Sequence, residues 1–97
     1  MTNIKKIEVV TDAVEMREVC EVLEAHGVTG YTLIRDAEGK GERGVQSGDD
    51  LSDVFKNSYL FTACGEEHVR EIIEAIRPLL KKRGGICLVS DAQYVIH

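Results

Sequence analysis

No apolar run in these 97 residues approaches the length needed to span a bilayer, and the start, Met-Thr-Asn-Ile-Lys-Lys, lacks the apolar stretch of a secretory signal. The expectation is a soluble, cytoplasmic chain. Positive charge is in short supply. Twelve Lys and Arg stand against 17 Asp and Glu, a formal net charge of -5, which argues against a surface built to track nucleic acid or anionic lipid. Any anion site must therefore be local. The three cysteines, Cys20, Cys64 and Cys87, are odd in number, far apart and set among apolar neighbours. They suggest small buried hydrophobes in a reducing compartment rather than a disulfide framework or a zinc cluster. His26, His68 and His97 are scattered without metal-ligand spacing, and Asp49, Asp50 and Asp53 lack the closing glutamate of a calcium loop. No nucleophile and base pair stands out either, so the sequence offers no enzyme chemistry.

What remains is two halves of one kind. Ile4 to Val10 reads as a strand, with Ile7 and Val9 on one face and Lys6 and Glu8 on the other. Asp12 is placed to cap a helix in which Met16, Val19, Cys20 and Leu23 recur at helical spacing, and Gly27 stops it. A second strand runs from Thr29 to about Arg35. Beyond a long aperiodic stretch the order repeats. Ser58 to Cys64 is a strand, and a helix beginning at Glu66 and Glu67 carries the stripe Val69, Ile72, Ile73, Ile76, Leu79 and Leu80. Lys81, Lys82 and Arg83 complement the dipole at its end. Pro78 is expected to kink or loosen its last turns. Gly84-Gly85 ends it, Ile86 to Ser90 forms a fourth strand, and Tyr94-Val95-Ile96 is left to pair at an edge or with another subunit. Strand, helix, strand twice over predicts one α+β domain, a ferredoxin-like βαβ-βαβ sandwich with both helices on one face of the sheet. Ile7, Tyr31, Phe61 and similar residues cannot all face the helices, so a dimer or trimer should cover the other side.

The aperiodic stretch opens with Gly39-Lys40-Gly41-Glu42-Arg43-Gly44. Compact domains rarely carry a long loop without a use for it. Glycines let backbone approach a ligand, and Lys40 and Arg43 supply positive charge, so a phosphate or other small anion is the first ligand to consider. The run matches G-x-G-x-x-G literally, but no helix opens within it to receive a pyrophosphate, and the chain is too short for a doubly wound sheet. The plain alternative is a hairpin loop with solvated charges, and composition alone leaves the two readings level. Lys81 to Gly85 is a second place where basic side chains flank freed amides. Two such loops from adjacent subunits could clamp one phosphate. Gly27-Val28-Thr29-Gly30 is accounted for as a helix stop followed by strand entry.

Lys5-Lys6-Ile7-Glu8, Gly27-Val28-Thr29-Gly30-Tyr31-Thr32, the mid-chain glycine run and Gly84-Gly85-Ile86-Cys87-Leu88-Val89, in that order and spacing, resemble PII signal-transduction proteins over nearly the whole chain. Gly39 to Gly44, Asn57-Ser58-Tyr59 and Ser90-Asp91-Ala92-Gln93 look like the PII-like proteins linked to inorganic carbon uptake and carboxysomes. The resemblance implies a homotrimer with adenine-nucleotide sites between neighbouring subunits and a partner-reading T-loop at about residues 37–57. It implies Gly39, Lys40, Gly41 and Arg43 near the phosphates, with Arg83, Gly84 and Gly85 joining them. Val28, Thr29 and Gly30 with Phe61, Thr62 and Ala63 would border the adenine, and Lys40, Gly41 and Arg43 would take bicarbonate. The implied ligands are AMP or ADP, with ATP and cyclic AMP as the other candidates, and the implied partner is a bicarbonate transporter or a carboxysome-related protein. The sequence departs from ordinary PII proteins in having no tyrosine in the T-loop, no longer lysine-bearing B-loop and nothing beyond His97. Tight ATP binding and 2-oxoglutarate sensing are therefore not expected. Of the other classes sharing this architecture, an acylphosphatase would need an arginine-glycine turn within residues 9–17. A copper-tolerance trimer would need histidine ligands, and an amino-acid-binding regulatory module would leave Gly39 to Gly44 without a role.

Overall fold

The computed structural model describes residues 1–40 and 54–97, and within these only the backbone of Lys40 and of residues 54–56. The elements follow in the order β1 (Thr2–Thr11), α1 (Ala13–Ala25), β2 (Thr32–Lys40), β3 (Val54–Cys64), α2 (Glu66–Arg83) and β4 (Ile86–Tyr94). The four strands form one antiparallel sheet ordered β2-β3-β1-β4, so the two strands at its centre come from different halves of the chain. This is the expected βαβ-βαβ arrangement.

Strand alternation decides which side chains meet the helices. Ile7, Val9 and Thr11 of β1 and Ser58, Leu60 and Thr62 of β3 are buried, and Met16, Val19 and Leu23 of α1 with Ile72 and Ile76 of α2 close the core over them. Lys6, Glu8, Tyr59 and Phe61 point to the opposite, open face, where Lys6 Nζ lies 5.2 Å from the Phe61 ring centre and Tyr59 donates to Glu8 Oε2 at 2.7 Å. Of the three residues that set the question of a covered second face, only Phe61 takes it. Ile7 is fully buried among the helices, and Tyr31 precedes β2 and donates to Glu24 Oε2 of α1 at 2.7 Å. That carboxylate pushes the Tyr31 phenol up from its ordinary value.

Several boundaries differ from the sequence expectation. β2 starts at Thr32 rather than Thr29, because residues 27–31 are spent on leaving α1. It then runs on to Lys40, and β3 begins at Val54, with Gly39 opposite Phe55 and Lys40 opposite Val54. Gly39 and the Lys40 backbone are thus ladder positions rather than the base of an irregular loop. Pairing shifts between Ile34/Tyr59 and Ala37/Asn57, three steps on β2 against two on β3, and Asp36 at φ 59° marks this bulge. Asp tolerates the left-handed region better than most residues. The helix α2 continues through Pro78 to Arg83. β4 extends past Ser90 to Tyr94, pairing with β1 up to Thr2, while Val95 and Ile96 are exposed beyond it. The cysteines are half-buried at the core's margin rather than enclosed in it.

Candidate functional site

One group of expected residues comes together at the end of α1. His26 is the C-cap, Gly27 follows at φ 81°, and Val28 N–H donates back to Leu23 O at 2.9 Å, so the chain leaves the helix in a fixed turn. Thr62, buried on β3, donates its hydroxyl to Gly30 O at 2.6 Å and ties the turn to the sheet. Val28, Thr29, Gly30 and Ala63 then line a cavity of about 320 Å³ together with His26, Gly27, Cys64, Gly65 and His68. Thr62 faces the helix layer and shapes this wall from behind. Phe61, the residue before it, lies on the open face under Lys6.

The second group lies at the end of α2. Gly84 N–H donates to Leu80 O at 2.6 Å with Gly84 at φ 84°, and Thr11 Oγ1 donates to Gly84 O at 2.9 Å. Gly85 has φ 139°, and a Cβ there would stand 2.7 Å from the Val10 carbonyl oxygen, so only glycine passes this close to β1. Arg83 is held by α1. Its Nε donates to Asp12 Oδ2 at 2.8 Å, while Asp12 Oδ1 accepts from Glu15 N–H at 2.8 Å. One carboxylate therefore caps α1 and orients the arginine. Burial pushes the Asp12 acid up, but the Glu15 amide and Arg83 together outweigh it and hold it below its ordinary value. Glu15 Oε2 lies 3.6 Å from Arg83 Nε, yet the Glu15 side chain is fully buried and neither oxygen has a hydrogen-bond partner among the described residues. Burial, then the neighbouring Glu18 carboxyl, holds the Glu15 pKa above the usual carboxylate range.

These two groups do not meet within one chain. Ala63 is opposite Lys6 on β1, whereas Gly85 packs at Val10, four strand residues or roughly 13 Å further along. Gly39 is exposed on the β2 edge of the sheet, two strands from β1. Gly41 and Arg43, and the side chain of Lys40, lie outside the described residues. Asp12, Glu15 and Thr11 carried no sign in the sequence of their relation to Arg83 and Gly84. Asp12 reads locally as a cap, and 71 residues separate it from its arginine. His26, Cys64 and His68 likewise reach the cavity only through the fold. Among the described residues no three His, Cys, Asp or Glu side chains gather as a metal site, and no helix is long and apolar enough to cross a membrane.

Curated proteins gave no match. Among solved structures, the chain is similar to CPII of Thiomonas intermedia K12, a nitrogen regulatory PII-like protein. In its form bound to ADP and bicarbonate the identity is 27%, the TM-score 0.78, and 95% of this chain and 88% of that one are covered. In its form bound to ADP, AMP and bicarbonate the values are 24%, 0.82, 98% and 96%. GlnK of B. subtilis in complex with ATP aligns at 21% identity and TM-score 0.71, over 94% of this chain and 84% of that one. The model of the nitrogen regulatory protein P-II family matches residues 4–96, and the chain belongs to that family.

Proposed function

We propose that this protein is a non-enzymatic sensor that binds an adenine nucleotide, AMP or ADP in preference to ATP, together with bicarbonate, in clefts between the subunits of a homotrimer. The observation that carries this reading is the separation of the two glycine turns. One presents a small walled cavity suited to a base, the other a fixed arginine and left-handed glycines suited to a phosphate, and one chain holds them roughly 13 Å apart along a rigid strand. A neighbouring subunit supplies the missing half. The likeness to CPII, which is described with ADP and bicarbonate, supports the choice of ligands. Lys40, Gly41 and Arg43 compensate the bicarbonate and phosphate charge, with Gly39 beside them. Occupancy sets the order of the T-loop joining β2 and β3, and a bicarbonate transporter or carboxysome-related protein in the cytoplasm reads its two states.

Titration calorimetry with AMP, ADP, ATP and cyclic AMP, each with and without bicarbonate, tests the reading. Saturable AMP or ADP binding is expected, tightened by bicarbonate, with the nucleotide tightening bicarbonate by the same factor. Arg43→Ala should weaken both while leaving the oligomer intact. Absence of any nucleotide binding, in calorimetry and in a second assay, overturns the proposal.

A further inference from the structure

The cavity beside the Gly27 to Gly30 turn contains an imidazole whose protonation pattern is fixed by the backbone. His26 Nδ1 lies 2.9 Å from Val22 O. A carbonyl oxygen only accepts, so Nδ1 must carry the proton, and the neutral ring is left with Nε2 as a bare acceptor. Nε2 has no hydrogen-bond partner among the described residues, and His26 lines the cavity. Two neighbouring polar groups of the same wall are already engaged, since Val28 N–H donates to Leu23 O and Gly30 O accepts from Thr62. His68 lines the same cavity, with its Nε2 3.6 Å from Glu67 Oε1.

We infer that His26 is a specificity-determining residue, its Nε2 accepting a hydrogen bond from the exocyclic amino group of a 6-aminopurine and rejecting a 6-oxopurine. The inference rests on the proposed placement of the base in this cavity. An adenine turns an N–H toward Nε2. A hypoxanthine presents a carbonyl oxygen at the same position, which sets two acceptors against each other, forfeits the bond and leaves both lone pairs without a proton. The imidazole is held at the helix end by its bond to Val22, so little side-chain freedom is lost when the base arrives.

The test compares AMP with IMP, which carry the same ribose and phosphate. Wild-type protein is expected to bind AMP about tenfold tighter than IMP. In His26→Asn the shorter amide keeps a donor for Val22 O but removes the acceptor from the Nε2 position. AMP binding should weaken until the two nucleotides agree within about twofold, with IMP almost unchanged and the helix end intact by circular dichroism. An unchanged AMP preference in folded His26→Asn, or its loss in His68→Asn alone, overturns the assignment. So does wild-type protein that binds AMP and IMP equally. Wild-type protein that binds neither refutes the nucleotide reading itself, a result distinct from the others. Should His26→Asn fail to fold, nitrogen-15 spectra of wild-type protein decide the matter. The His26 Nε2 resonance is expected to move upfield with AMP and not with IMP, and a resonance that ignores AMP overturns the inference.

Discussion

Glu15 is a fully buried carboxylate that has no hydrogen bond among the described residues, and Arg83, which lies within ion-pair distance of it, is shared with Asp12. Replacing it by Met, which keeps the volume and removes both oxygens, is expected to stabilise the fold by about 1–3 kcal/mol. A thermal melt at neutral pH measures this. The two acids give opposite pH dependences. The fold raises Glu15 above its ordinary 4.5, so the native state holds the proton more tightly, and stability falls as pH rises from 4.5 through the raised value. Asp12 is held below 3.8, so its contribution is present above that value and is lost as pH falls through the lowered one. For this pair the optimum lies between 3.8 and 4.5, and melts of Glu15→Met from neutral pH down to well below 3.8 should lose the rise on acidification while keeping the collapse at the acid end. Thr62 has the clearer role. Thr62→Val removes the hydroxyl that holds Gly30 O and should cost about 1 kcal/mol of stability, with weakened nucleotide binding in calorimetry.

At the scale of elements the two helix exits differ although both use left-handed glycines. Gly27 has φ 81° and open space for 4 Å around the position a Cβ would take, so Gly27→Ala should cost only about 1 kcal/mol of backbone strain. Gly85 combines φ 139° with a contact of 2.7 Å to the Val10 carbonyl. Gly85→Ala must move backbone and is expected to cost at least about 2 kcal/mol, lowering the melting midpoint by roughly 8–16 °C. Both glycines are legible in the sequence as helix stops, because a stop signal is local chemistry. The difference between them is not, since it depends on β1 crossing behind one of them. Strand ends escape a reading of the sequence for the same reason. Residues 36–40 are polar, charged or glycine, apart from Ala37, and carry no alternation, yet they pair with residues 54–57 because β3 lies beside them and a bulge at Asp36 corrects the register.

For the molecule as a whole the open face of the sheet sets the question of assembly. Ile34 is 52% exposed, Ile86 55% and Leu88 56%, and with Phe61 at 37% they put apolar area on the side away from the helices. Burying such side chains between subunits is worth about 1.5–3 kcal/mol each. Leu88→Asp should therefore convert the proposed homotrimer to monomers in sedimentation velocity with the circular dichroism spectrum retained, and nucleotide binding should fall with it if each site needs two chains. The sequence by itself determined the βαβ-βαβ order, the apolar stripes of both helices, the Asp12 cap, the glycine stops and the family, since each follows from periodicity or from short motifs within one stretch of chain. Only the tertiary structure decided that Asp12 holds Arg83, that Thr62 and Thr11 each grip a glycine turn, and that His26 shares a cavity with Ala63 and His68. Those contacts join stretches that stand 32 to 73 residues apart, and pairing at such distance is fixed by sheet register and helix packing rather than by any local preference of the residues.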